Sequence, residues 1–176
     1  DRFPYDSRSP WGRSFCSAQA HSQRRQPMQR VVSVRTPNLS GSRSDADVDL
    51  STWDKIGPVL DTLKAAGSTC PITTAWQSWI HLENLSAYHN VPFATKDNGF
   101  AGLDTELAFN SPLQVKHVQT MGEWAKDGKF IYAGRRNEGG ANFRAGECAL
   151  FTESSAGYAG IKAEAKFAFD VRPLPY

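Results

Sequence analysis

The chain has 176 residues, 40% of them apolar and 22% charged, which suits one globular domain with a real core, with or without a loose extension. A formal charge of +2 excludes the strongly basic balance of a chain-wide nucleic-acid or membrane-surface binder. There is no apolar run long enough to span a bilayer and no apolar core of a signal peptide near Asp1, which points to a cytosolic protein or to one whose export signal is missing from this chain.

From Asp1 to Asp45 every positive charge is an arginine, and the first lysine is Lys55. The segments SRSP, HSQRRQP and SGSRSD make residues 1–48 a low-complexity, poorly ordered extension, with VVSV (31–34) as a weak strand candidate. An arginine-rich nucleic-acid arm would need interleaved aromatics or a basic helix face, and neither is present, so no nucleic-acid partner is expected.

Residues 49–176 form the ordered part. Ser51 and Asp54 have capping-box spacing, Trp53, Ile56, Val59, Leu60 and Leu63 recur at helical period, and Gly67 sits where a C-terminal cap belongs. These predict a helix over 52–66, then a strand Pro71 to Thr74 and a helix from Trp76 to His89. Alternation from Asp104 to Phe109 predicts a half-exposed strand. Asn110 or Ser111 then caps a helix with Pro112 in its first turn, running to Gly128. A short helix at Ala141 to Ala145, a strand Cys148 to Thr152, a helix Ser155 to Lys166 and a strand Phe167 to Val171 complete the chain. Strands alternating with helices indicate an α/β layer structure with a partly parallel sheet, whose ligands collect beyond the carboxyl ends of the strands.

Two strand exits have suitable chemistry. The first, in TAWQSWIHLEN (74–84), carries Trp76 and Trp79, which with Ile80 and Glu83 share a face if the helix starts early; core packing and a ligand wall are both open readings. The second, TESSAG (152–157), sets Ser154 and Ser155 at a helix start, where free N–H groups suit a phosphate or carboxylate, or where a serine is a plain N-cap.

Other chemistry is scarce. Cys16, Cys70 and Cys148 lack CxxC spacing and the histidines form no HExxH, so no metal site is expected; Cys70 and Cys148 are either a disulfide of an oxidising compartment or buried thiols. No GxSxG, P-loop or GxGxxG is present, and no cofactor is implied. GRRNEGGAN (134–142) has the wrong spacing to cradle phosphates, and Arg135 and Arg136 read as a solvated turn. His81, His89 and His117 read as ordinary helix residues rather than general bases.

From about residue 49 onward the sequence resembles the glycerol-3-phosphate-type periplasmic solute-binding proteins of bacterial ABC importers, within the extracellular solute-binding proteins related to maltose-binding protein. The resemblance is carried by WQSWIHLENLSAYHNVPFATKDNGFAGLD (76–104), LAFNSPLQVKHV (107–118), GKFIYAGR (128–135) and FRAGECALFTESSAG (143–157). It implies a two-lobed periplasmic-binding-protein fold, of which this chain is part of the second lobe, and a monomeric, non-enzymatic receptor. Such a receptor captures a small phosphorylated polyol, sn-glycerol 3-phosphate or a glycerophosphodiester, for the importer's membrane subunits. The family's paired ligand-walling tryptophans match Trp76 and Trp79, and its ligand-contacting serine matches Ser154, with Ser155 the second choice.

The family is about twice this length, and its first lobe and later C-terminal contacts have no counterpart here. Residues 1–48 do not resemble the family and carry the Arg, Ser, Gln and Pro bias of a GC-rich gene read out of frame. The expectation is a receptor fragment from a truncated or frameshifted gene; the alternatives are a non-functional product of such a gene or an enzyme acting on phosphodiesters or sugar phosphates through the Ser154 loop.

Overall fold

The computed structural model describes residues 30–34 and 48–176. One mixed sheet is built from β1 (Arg30–Val34), β2 (Cys70–Thr74), β3 (Cys148–Glu153) and β4 (Phe169–Pro173), in the order β2-β3-β1-β4. β2 and β3 are parallel, and β1 is antiparallel to both β3 and β4. β2, β3 and β4 therefore point the same way. Thr74 pairs with Thr152, Thr152 with Val31, and Val31 with Arg172, so one row crosses the sheet just before all three carboxyl ends.

β2 and β3 are buried along their whole lengths, the pattern of strands covered on both faces. On one face, Ile56, Leu60 and Leu63 of α1 (Trp53–Ala65) and Met121 and Trp124 of α3 (Pro112–Lys126) pack in one cluster with Ile72 and Leu150. Between them runs a π-helical turn, Trp79–Asn84, that continues into α2 (Leu85–Tyr88). A second cluster joins Phe143 of α4 (Glu138–Arg144) and Ile161 of α5 (Tyr158–Glu164) to Phe151, with the Phe143 and Phe151 rings stacked at 5.3 Å. Cys70 and Cys148, register partners across β2 and β3, are joined by a disulfide with Cα atoms 4.5 Å apart.

Several elements differ from the sequence reading for local reasons. The Ser51–Asp54 capping box does not form. Thr52 is the N-cap and makes no side-chain bond; the Ser51 amide donates to Asp49 Oδ1 at 3.0 Å, and the Trp53 amide donates to the Tyr176 carbonyl at 3.1 Å. Gly67 does turn left-handed at φ +90° after α1. At α3 it is Ser111, not Asn110, that forms a reciprocal capping box, with Gln114.

Residues 104–109 form no strand. Their backbone groups serve a loop contact instead: the Thr95 amide donates to the Glu106 carbonyl at 2.9 Å and the Ala108 amide to the Phe93 carbonyl at 2.8 Å, around a single bridge between Ala94 and Leu107. The helix predicted from Ser155 opens as a 3-10 turn, Ser155–Gly157, and ends at Glu164.

The expectation of a poorly ordered extension over residues 1–48 lies outside the described residues, except at Arg30–Val34 and Val48. The strand candidate VVSV lies within β1 and is paired on both sides. Cys16 and His21 also lie outside the described residues.

Candidate functional site

The parallel register that pairs Thr74 with Thr152 also sets where the chain goes as it leaves each strand. The Ala75 amide extends the ladder by donating to the Thr152 carbonyl at 2.9 Å. Two residues past this pair stand Trp76 on one strand and Ser154 on the other, so both leave the same end of the sheet from adjacent strands.

Trp76 does not belong to the helix. Its φ of +47° is left-handed, a region that costs a bulky L-residue about 1–2 kcal/mol, and the helix begins at Gln77. The expected shared helix face of Trp76 and Trp79 is therefore absent: Trp76 caps the turn, its carbonyl accepting the Ile80 amide at 2.9 Å, while Trp79 is half-buried at the head of the π-helical turn. Such backbone strain persists where surroundings over-determine it, and is common at functional sites.

The bracing comes from residues 134–138. The Trp76 amide donates to the Arg136 carbonyl at 3.1 Å, the indole Nε1–H to Asn137 Oδ1, and the Gln77 side-chain amide to the Gly134 carbonyl. The Arg136 guanidinium carbon lies 5.9 Å from the centre of the indole ring. Arg136, read as a solvated turn, is thus a partner of Trp76. Its spacing from Trp76 in the sequence carries no signal of that; only the close packing of α4 on β2, where a Cβ on Gly139 would stand 2.6 Å from the Thr74 carbonyl oxygen, brings them together.

Beneath the turn lies a buried polar chain that sequence reasoning also missed. Thr74 Oγ1 donates to the Ala75 carbonyl at 3.0 Å and accepts from Thr152 Oγ1 at 2.6 Å, which leaves His81 Nε2, 3.1 Å away, as a donor. His81 Nδ1 is then an acceptor for His117 Nε2 at 3.1 Å. Burial, reinforced by the charge His117 would carry, holds His81 down to about 3; burial, reinforced by His89, holds His117 down to about 4. Both imidazoles are neutral at pH 7, and Trp53 packs edge-on against His117 at 4.7 Å. They are interior braces, not surface bases.

The second exit is simpler. Ser154 Oγ accepts the Ala156 amide at 3.2 Å as the cap of the 3-10 turn, its own amide donates to Glu153 Oε1 at 2.8 Å, and Ser155 is exposed. Burial pushes the Glu153 carboxyl up, opposed by the Ser154 amide and Arg144. Ser154 is half-exposed and keeps its hydroxyl proton for another acceptor. A cleft of about 490 Å3 opens at the end of β4 beside Tyr88, Arg172 and Tyr176, but Trp76, Trp79 and Ser154 do not line it.

No family model matches the chain. It is 44% identical over 132 residues to the sn-glycerol-3-phosphate-binding periplasmic protein UgpB of Yersinia pestis, and 43% identical over 132 residues to UgpB of Pectobacterium atrosepticum and of Salmonella typhimurium. Over that stretch the chain is a homologue of the UgpB proteins. The match covers 75% of this chain and 30% of each of those relatives. Among solved structures, UgpB of Mycobacterium tuberculosis in complex with glycerophosphocholine superposes with a TM-score of 0.60 at 16% identity, over 85% of this chain and 38% of that one. The fold is therefore part of the UgpB solute-binding fold. The relatives are named as periplasmic binding proteins, not as enzymes.

Proposed function

We propose that this chain supplies one wall of a receptor site for a small phosphorylated polyol, sn-glycerol 3-phosphate or a glycerophosphodiester, and serves capture for an ABC importer's membrane subunits. The observation that carries the reading is the juxtaposition of the braced Trp76 turn and the Ser154 turn at the carboxyl ends of two adjacent parallel strands. Trp76 and Trp79 offer apolar surface to the glycerol carbons, and the Ser154 hydroxyl, with Ser155 beside it, offers a donor to an anionic oxygen. The reading is non-enzymatic: Ser154 Oγ is bonded to the Ala156 amide, and the buried His81 is engaged by Thr74 and His117, so neither forms a nucleophile and base pair with the other. The Cys70–Cys148 disulfide suits a periplasmic, oxidising location.

The matched stretch is 30% of the relatives' length, and affinity in such receptors comes from enclosing the ligand. Binding by this chain is accordingly weak, on the order of 1 mM. Quenching of tryptophan fluorescence by glycerol 3-phosphate tests this: the response is expected at millimolar ligand and is expected to vanish in Trp76→Ala and weaken in Trp79→Ala and Ser154→Ala. A response left intact in Trp76→Ala would sink the assignment.

A further inference from the structure

The Arg136–Trp76 contact has a consequence for which ligand the wall selects. We propose that Arg136 is a specificity-determining residue that favours a phosphomonoester, such as glycerol 3-phosphate, over a phosphodiester carrying a quaternary ammonium, such as glycerophosphocholine. The inference rests on the reading of Trp76 as a ligand wall.

The face of an indole is the strongest side-chain platform for a cation, and recognition of quaternary ammonium groups commonly uses it. On this chain that place is filled from within. The Arg136 guanidinium lies over the Trp76 ring at 5.9 Å, and three hydrogen bonds lock the two segments together: Trp76 amide to Arg136 carbonyl, Trp76 indole to Asn137, and Gln77 amide to Gly134 carbonyl. The resident cation competes with a choline head at the ring and repels it.

The same guanidinium is well placed for a phosphate. Arg136 is exposed and, among the described residues, takes part in no ion pair. Glu138 is a counter-charge that feels the guanidinium, but its carboxylate is turned back onto backbone, accepting the Arg136 amide at 2.6 Å; its acidity is raised mainly by its own and the Arg136 amides, with a smaller part from the guanidinium charge. That leaves the planar donor fork free for a second anion, and a doubly charged monoester gains more from it than a zwitterionic diester does.

Affinities of the whole chain for glycerol 3-phosphate, glycerophosphocholine and uncharged glycerol, read from movement of the Trp76 indole N–H resonance, test the proposal. The wild-type chain should bind glycerol 3-phosphate more tightly than glycerophosphocholine. Arg136→Gln should weaken glycerol 3-phosphate about tenfold while glycerophosphocholine is unchanged or strengthened, and Arg136→Lys, which keeps the charge but loses the planar fork, should fall between. An unchanged preference in Arg136→Gln, an equal loss for both ligands, or a wild-type preference for glycerophosphocholine overturns the inference and leaves the wall reading standing. An indole resonance that moves with neither phosphorylated ligand overturns both.

Discussion

The two strand exits that meet at one end of the sheet are built in opposite ways. At β2 the chain turns through a left-handed tryptophan, is clamped from outside by residues 134–138 and is braced from beneath by Thr74, His81 and His117. At β3 a serine caps a 3-10 turn with one ordinary hydrogen bond and keeps a spare donor. On the proposed reading, a bulky tryptophan on a strained turn needs fixed surroundings to face a ligand, whereas a small hydroxyl needs only to be left free. Rigidity is concentrated where shape is presented, and freedom where a hydrogen bond is offered.

Acid should break the first exit before the second. His81 and His117 are neutral in the folded state, with values near 3 and 4 against an ordinary 6.5, so between about pH 6.5 and 4 the unfolded chain binds more protons. Stability is therefore full above pH 6.5 and lost as pH falls, by up to about 1.4 kcal/mol per pH unit for each imidazole. Denaturant melts at pH 7 and pH 5 should differ by on the order of 3 kcal/mol. A His81→Gln, His117→Gln double variant should flatten that slope; a slope unchanged by it would place the acid sensitivity elsewhere.

Next in size is the Cys70–Cys148 bridge, which closes a separation of 78 residues between the two strands that carry both exits. Reduction, or the double alanine variant, should cost about 3 kcal/mol by chemical denaturation. A smaller and more local effect separates two substitutions of Trp76. Because its φ is +47°, Trp76→Gly should be more stable than Trp76→Ala by about 1 kcal/mol, the reverse of their usual order. The smallest effect lies at the other exit, where Ser154→Ala should lose only about 0.5–1 kcal/mol, the worth of a cap.

The elements and the strand exits were legible because their signals are local: helical periodicity around Ile56 and Leu60, Pro112 beside a capping serine, and apolar runs at Cys70 and Cys148. Trp76 and Ser154 were reachable the same way, since the residues just past a strand can be read from the strand. Misreadings came where a distant group took over a local role. Tyr176 bonds the amide and carbonyl that the Ser51 cap would have organised, and the alternation at 104–109 answers to a loop contact with Thr95 rather than to a sheet. The His81–His117 brace joins residues 36 positions apart, and Arg136 reaches Trp76 from still farther along the chain; no spacing rule extends that far.

The proposed wall requires that Trp76 and Ser154 form one site. Titrating the isotopically labelled chain with glycerol 3-phosphate, while following the Trp76 indole N–H and the Ser154 amide together, tests it most directly. Both resonances should move along one binding curve with a single dissociation constant, and glycerol without phosphate should move the Ser154 amide far less. Movement of one resonance without the other, or two separate constants, would contradict it.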